Sequence, residues 1–444
     1  MLGVLLGATA PQPLQTAFVD PIVFTGPNAA AGLTAAKAAG ATMIKVPLFW
    51  NEVASATKPA TFKPSDPSDP AYNWTQPDAQ LRLIRAQGLQ AIVYVSSAPT
   101  WAMRTISGYS RADPAQFASF ALAAVRRYSG TTNGLPRVRY WEAWNEPNKV
   151  PNPAAKASAA AWYRSLVNAF AASAHTVPGN SVIAGGLAPF GISTSVAPLD
   201  FMKSLLSAKV DFDIWSTDPY TAGGPTHKAA HAGDVSIAEL PAMKTVLDAG
   251  VLGGKVVSRQ AVRFWVTEFS WDSNPPDPGG VPAALEGRWV AEALYRMWSA
   301  GVSLVTWYTL VDQPVKTSPY QSGLYYLGTT FASNRPKPAF TVFRFPFVAY
   351  PRSKGVLVWG RTPTSKSGTV VIEQRGSSGW RRVGVVQADM VGIFTGDLQA
   401  SGKGPLRARF TGAKATSLPF SLVEPPDHPY QLFGAPLPAT GGTK

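Results

Sequence analysis

Two glutamates stand at the ends of strand-like runs, each set among aromatic residues. One is Glu146 in Tyr140-Trp141-Glu142-Ala143-Trp144-Asn145-Glu146-Pro147-Asn148, the other Glu268 in Phe264-Trp265-Val266-Thr267-Glu268-Phe269. A carboxylic acid and a carboxylate facing each other across a cleft can break a glycosidic bond: one protonates the leaving oxygen while the other attacks the anomeric carbon or activates water. Taken singly, an acid at a strand terminus is an ordinary solvated or ion-paired group. The neighbours of these two favour the chemical reading. Asn145 can hydrogen-bond a substrate hydroxyl or fix a carboxylate, Pro147 restrains the turn, and Trp144 and Trp265 can wall the site with apolar faces that tune proton affinity and stack on a sugar. Trp50, Trp101 and Trp271-Asp272 follow other strand-like runs and are subsite candidates, although any one tryptophan is as readily a core residue.

Distant acids meet only if the chain between them alternates strands and helices. Helical periodicity and short β-rich runs do alternate through the first 310 or so residues. Strands are expected at 18–25, 42–46, 89–95, 138–141, 181–185, 212–215, 263–267 and 302–307. Helices are expected at 30–39, around Leu81 and Ile84, around Phe117 to Val125, and at 155–172, 199–206, 237–247 and 289–298. Parallel neighbours need crossover helices, so this alternation predicts a closed (β/α)8 barrel. An open doubly wound sheet is the rival, but no Gly-rich phosphate loop follows the first strand. In a barrel the C-terminal ends of the strands converge on one mouth, which places Glu146 after strand four and Glu268 after strand seven on the same rim.

The pattern changes after Pro336. Runs such as Val356-Leu357-Val358-Trp359-Gly360, Thr369-Val370-Val371-Ile372-Glu373 and Leu406-Arg407-Ala408-Arg409-Phe410 are separated by Gly, Ser and Pro turns, as in an antiparallel β-sandwich. The expected organisation is a barrel over 15–340, a sandwich over 341–430, and flexible termini at 1–14 and 431–444. The apolar run 1–10 ends in small residues without a basic leader; it reads either as the remnant of a secretory signal, implying an extracytoplasmic protein, or as an ordinary mobile terminus. The insertion 51–76 and the loop 222–235 are placed to wall the cleft, which favours exo action or small glycosides.

Composition narrows the function classes. Apolar residues form 45% of the 444, charged residues only 15%, and 14 Trp, 14 Tyr and 21 Phe are available, enough for a large core and a lined groove. The absence of cysteine excludes disulfides and thiolate metal sites. No apolar run is long enough to predict a membrane span. The formal charge of +14 comes from scattered residues, with Arg126-Arg127 and Arg381-Arg382 the only adjacent arginine pairs, and no nucleic-acid-binding signature accompanies it. His227 and His231 are four apart, but with glycines and a proline before them and no acidic companion they read as a surface pair. No nucleophile elbow, dinucleotide fingerprint or phosphate loop competes with the carboxylates.

The segment Trp144-Asn145-Glu146-Pro147-Asn148, together with Glu268 at the end of a later strand, resembles the large clan of retaining glycoside hydrolases built on (β/α)8 barrels, most closely its family 39 members and next its family 5 members. The resemblance covers about 15–340. It implies that Glu146 is the general acid/base, Glu268 the nucleophile, and Asn145 the residue holding the sugar 2-hydroxyl. It further implies that Tyr220, in Asp218-Pro219-Tyr220, hydrogen-bonds the nucleophile and that Trp307 floors the glycone subsite. Two positions depart from the pattern: Lys45 stands where many members have Arg, and Asp218 where a His often precedes the Pro-Tyr pair. Both bear on which sugar hydroxyls are recognised. The implied reaction is double displacement on a β-glycoside, oligosaccharide or polysaccharide, without metal or other cofactor. The alternatives are a carbohydrate-binding barrel without turnover, an endo-acting glycanase or transglycosylase, and a barrel whose paired carboxylates hold a divalent metal with Asp218 as a further ligand.

Overall fold

The computed structural model describes residues 12–132, 134–400 and 403–432. Eight parallel strands close into a barrel: β1 (Gln15–Val19), β2 (Met43–Phe49), β3 (Gln90–Ser96), β4 (Tyr140–Ala143), β5 (Ser181–Leu187), β6 (Ile214–Thr217), β7 (Arg263–Val266) and β8 (Val302–Tyr308). Each pairs with its sequence neighbours, and β1 closes the ring on β8. The crossovers contain α1 (Ala29–Ala38), α2 (Thr75–Ala86), α3 (Pro114–Arg127), α4 (Lys156–Ala174), α5 (Pro198–Leu205), α6 (Leu240–Leu252) and α7 (Ala283–Ser299). Capping chemistry fixes several boundaries. Asp113, for example, accepts from the backbone N–H groups of Ala115 and Gln116 just ahead of Pro114, a proline at a position where a missing N–H costs nothing.

The first strand differs from expectation by several residues, since it occupies Gln15–Val19 and not 18–25. Asp20 is the reason. Its buried carboxylate accepts from Ile22 and Val23 at 3.1 and 2.8 Å, which turns the chain out of the strand, and from Leu310 and Val311 at 3.1 and 3.4 Å, which ties the ends of β1 and β8 together. Strand four similarly starts and ends later than expected, at Tyr140–Ala143.

Side chains alternate along each strand, and the inward set is stratified. Ala17, Met43, Ile92, Ile183, Ile214, Trp265 and Leu304 form a separate apolar cluster that plugs the lumen. Two residues further on, the inward position is polar at six of the eight strands, with Lys45, Tyr94, Glu142, Ser216, Thr267 and Thr306. The apolar floor keeps water from passing through the barrel. The polar layer above it is the base of a site.

Beyond the barrel, α8 (Pro338–Arg344) leads into two antiparallel sheets. One is β9 (Phe347–Pro351), β10 (Val356–Arg361) and β13 (Ile393–Leu398); the other is β11 (Gly368–Gly376), β12 (Gly379–Ala388), β14 (Leu406–Phe410) and β15 (Ala415–Thr416). This is the barrel-plus-sandwich architecture that the sequence predicts. The first sheet packs on α7 through Tyr295 against Tyr350 and Trp359, and Trp298 against Trp359, with ring centroids 5.3 to 5.5 Å apart. Arg361 crosses the junction fully buried, donating to the carbonyls of Leu14 and Phe343 at 2.7 and 2.8 Å. The chain near its ends is also tied down. Gln12 donates to the carbonyls of Trp298 and Val302, and Tyr430 reaches back to the barrel rim. The expected secretory remnant at 1–10 and residues 433–444 of the expected C-terminal tail lie outside the described residues. Among those described, no helix is long and apolar enough to cross a membrane.

Candidate active site

The turn after β4 carries Glu146 in a conformation that few L-residues adopt. Trp144 and Glu146 have φ of +77° and +46°, left-handed values that cost about 1–3 kcal/mol each and survive only where the surroundings hold them. Several contacts do so. The backbone N–H of Trp144 donates to Val95 and that of Glu146 to Gly186, both at 2.9 Å. Asn148, fully buried, donates to the carbonyls of Ala188 and Val196 and accepts from the N–H of Ala188, each at 2.9 Å. Glu146 is therefore aimed by β3 and β5 as well as by its own strand. The ammonium of Lys149, three residues on across the same turn, pairs with its carboxylate.

The end of β5 is built around this turn. Gly185 and Gly186, at φ +108° and +56°, make an irregularity in the pairing with β6. A Cβ on Gly186 would lie 2.6 Å from Oε1 of Glu142, and one on Gly185 would lie 2.1 Å from the carbonyl oxygen of Ser216. Only glycine fits at either position.

Glu268 follows β7 and accepts a hydrogen bond from the Tyr220 hydroxyl at 2.7 Å. Burial pushes its carboxyl above the usual carboxylate range; Lys45 and the Tyr220 hydrogen bond oppose this, whereas the charges of Glu146 and Glu142 reinforce it. The two glutamates thus lie within each other's field at one barrel mouth. Lys45 is buried beneath them, 3.1 Å from Oε2 of Glu142, a longer 3.5 Å from Oδ1 of Asn145, and over the ring of Tyr94. Burial works against its charge, but Glu142, Asp218, Glu268 and Tyr94 together hold its ammonium above the ordinary value. Asp218, also fully buried, accepts from the Thr267 hydroxyl at 2.8 Å, and burial together with Glu268, Glu142 and Glu146 raises its carboxyl well above the usual range despite Lys45. Three buried acids, Glu142, Asp218 and Glu268, thus share the single buried ammonium of Lys45 as their cationic neighbour.

The structure therefore brings together Glu146, Glu268, Asn145, Lys45, Asp218 and Tyr220. Three of the tryptophans are elsewhere. Trp307 is fully buried, donating to the Ser322 carbonyl and packed on Phe269 and Phe343; because Leu304 faces the lumen, parity turns Trp307 to the outside of the barrel. Trp50 stacks on Phe120 beneath α3 with centroids 5.3 Å apart. Trp271, with no exposed surface, donates to the carbonyls of Thr221 and Gly223 and so fastens the loop after β6 to the loop after β7. None of these three indoles offers a face to a ligand, which corrects the subsite roles expected for them. Trp101 is half-buried and donates to the Ser55 carbonyl, pinning the 51–76 insertion to the loop after β3. That insertion encloses an open cavity of about 790 Å³ lined by Glu52, whose charge reaches Tyr94. His227 bonds Asp427 and the N–H of Gly224 at the same rim.

Five residues at the mouth were missed in the sequence: Glu142, Tyr94, Lys149, Tyr308 and Tyr320. Tyr308 and Tyr320 pack edge to face at 4.9 Å, and after the burial of each hydroxyl the largest influence on it is the charge of Glu268. Glu142, Tyr94 and Tyr308 were legible in principle, because each keeps the parity of a lumen-facing strand residue. Tyr320 and Lys149 lie on loops and gave no periodic signal.

No family model matches the chain, and no curated protein does. Among solved structures, a family 39 glycoside hydrolase from the gut symbiont Bacteroides cellulosilyticus WH2 is similar over 87% of this chain and 79% of its own, at 16% identity and a TM-score of 0.55. The monomer of a hyperthermophilic beta-glucosidase mutant is similar over 76% of this chain and 99% of its own, at 12% identity and a TM-score of 0.50. The chain shares the (β/α)8-barrel fold with these proteins.

Proposed function

We propose that this chain is a retaining β-glycoside hydrolase in which Glu268 is the nucleophile and Glu146 the acid/base. The carrying observation is the pair of strand-end glutamates in one mouth with Tyr220 donating to Glu268 at 2.7 Å. The fold shared with a family 39 glycoside hydrolase and with a beta-glucosidase supports the same reading.

In the first step an Oε of Glu268 attacks the anomeric carbon as the bond to the aglycone oxygen breaks, and the proton of Glu146 passes to that oxygen. In the second, Glu146 takes a proton from water, the resulting hydroxide oxygen bonds to the anomeric carbon, and Glu268 leaves as carboxylate. Asn145 would hold the 2-hydroxyl, and Lys45 would keep Glu268 ionised at the moment of attack. Tyr94, Tyr308 and Tyr320 supply ring faces and hydroxyls in place of the expected Trp307. The folded 51–76 insertion supports action on short glycosides or chain ends. Residues 15–340 would form the catalytic unit and 341–430 an accessory one.

The test is a panel of aryl β-glycosides, with the anomeric configuration of the product followed by proton NMR. Retained configuration is expected, and Glu268→Gly should lose hydrolysis while azide restores turnover to a glycosyl azide of inverted configuration. Inverted sugar product from the wild type, or full activity in Glu268→Gly, would overturn the assignment.

A further inference from the structure

The turn that carries Glu146 also walls a second, smaller cavity. It has a volume of about 150 Å³ and is bounded by Trp144 and Lys149 of the turn, Trp162 of α4, and Ser110 and Arg111 of the hairpin formed by Met103–Ile106 and Tyr109–Ala112. A space of this size holds roughly one six-membered ring, since a 150 Å³ apolar cavity accommodates benzene. Two indoles on its walls suit the apolar face of a pyranose.

Its charge is one-sided. None of the residues around the cavity is acidic. Arg111 is only 6% exposed, and its guanidinium donates to the carbonyls of Ser158 and Ala155 at 2.8 and 2.9 Å while lying over the rings of Trp162 and Tyr109. The acid closest in sequence, Asp113, is taken by Arg104 at 2.7 Å. No carboxylate pairs with Arg111 among the described residues, and its two carbonyl partners leave further donors of its five for a ligand. The second cation, Lys149, belongs to both sites: it borders the cavity, and its ammonium pairs with Glu146.

We propose that this cavity is a subsite for a sugar residue bearing an oxyanion, a uronate or a sulfate ester, on the leaving-group side of the cleaved bond, with Arg111 and Lys149 as its cationic contacts. The leaving-group side follows from the roles proposed above, because the turn whose Trp144, Pro147 and Lys149 wall the cavity also carries Glu146, the residue proposed to protonate the departing oxygen. A planar guanidinium fork with a nearby ammonium matches the geometry of a carboxylate or sulfate. The net charge of +14 adds long-range attraction for such a substrate.

The test is calorimetric binding of methyl β-glucuronide, methyl glucoside 6-sulfate and neutral methyl β-glucoside to the wild type, Arg111→Gln, Ser110→Glu and Glu268→Gly. At least one of the two anions should bind the wild type about ten-fold or more tighter than the neutral glycoside, and which of them does so identifies the oxyanion. That preference should disappear in Arg111→Gln and in Ser110→Glu, and persist in Glu268→Gly. Ser110 is an exposed strand position, so Ser110→Glu serves if the buried substitution fails to fold. Equal binding of anionic and neutral sugars, or an anion preference that survives Ser110→Glu, would overturn the proposal. Because binding is read without turnover, a failure of the hydrolase reading shows separately, as absent cleavage of the aryl glycosides beside intact anion binding.

Discussion

Glu268 is held between opposing influences: burial and the neighbouring carboxylates favour its proton, while Lys45 and the Tyr220 hydroxyl favour its charge. In the proposed reaction Glu268 must be ionised to attack, so weakening either support should move the loss of activity to higher pH. Tyr220→Phe removes the donor and leaves the ring. Since a hydrogen bond to the charged form lowers a carboxyl pKa, its loss raises that of Glu268, and the acid limb of kcat/KM should move to higher pH. A pH–rate profile of the variant checks this, and an unmoved acid limb would mean that the Tyr220 contact is not made by the reacting enzyme. The same residue shows what could be read early. The family resemblance implied a contact between Tyr220 and Glu268, and the two lie 2.7 Å apart, whereas Trp307 is turned away from the lumen by its parity on β8.

At the scale of elements, the end of β5 is the part of the scaffold most specific to this site. Gly186 has φ +56°, lends its carbonyl to the N–H of Glu146, and leaves the room that Glu142 occupies. Gly186→Ala should pay a left-handed backbone penalty of about 1–2 kcal/mol and, in addition, displace Glu142 from Lys45. Gly254→Ala is the control, since Gly254 has φ +65° with nothing near its missing Cβ. Both variants should melt earlier than wild type, but only Gly186→Ala should also lose kcat. Equal activity in the two would disconnect β5 from catalysis. The strand itself was visible as an apolar run starting at Ser181. Its glycine pair announced no function until Glu142 and Ser216 were seen across from it.

Over the whole molecule, a group of acids is buried where α7, the loop after β8 and the start of α8 meet. Burial raises Glu286 to about 8, Asp312 to about 7 and Asp272 to about 6, with Lys337 holding Asp312 at 2.6 Å and opposing each rise. Neither oxygen of Glu286 has a hydrogen-bond partner among the described residues. A carboxyl whose pKa is higher in the folded than in the unfolded chain stabilises the fold while protonated. That stability is complete below the unfolded value, near 4.5, and is lost as pH rises through about 8. The protein should therefore melt at a higher temperature at pH 5.5 than at pH 8.5, and Glu286→Gln should flatten the difference. Calorimetric scans at the two pH values test this, and a wild type more stable at the higher pH would refute it.

What the chain fixed by itself was periodic: eight alternations of strand and helix, a change to short strands after Pro336, and acids at two strand ends that a closed barrel must bring to one rim. Local pattern suffices for these because hydrophobic period and crossover geometry leave few topologies. Tertiary structure alone decided which aromatic residues face a ligand and which fill the core. That choice turns on strand parity and on the packing of α3, α7 and α8 against the barrel. It also decided that Lys45 would pair with Glu142, and that the turn bearing Glu146 would border a second cavity, since both depend on contacts between residues far apart in the chain.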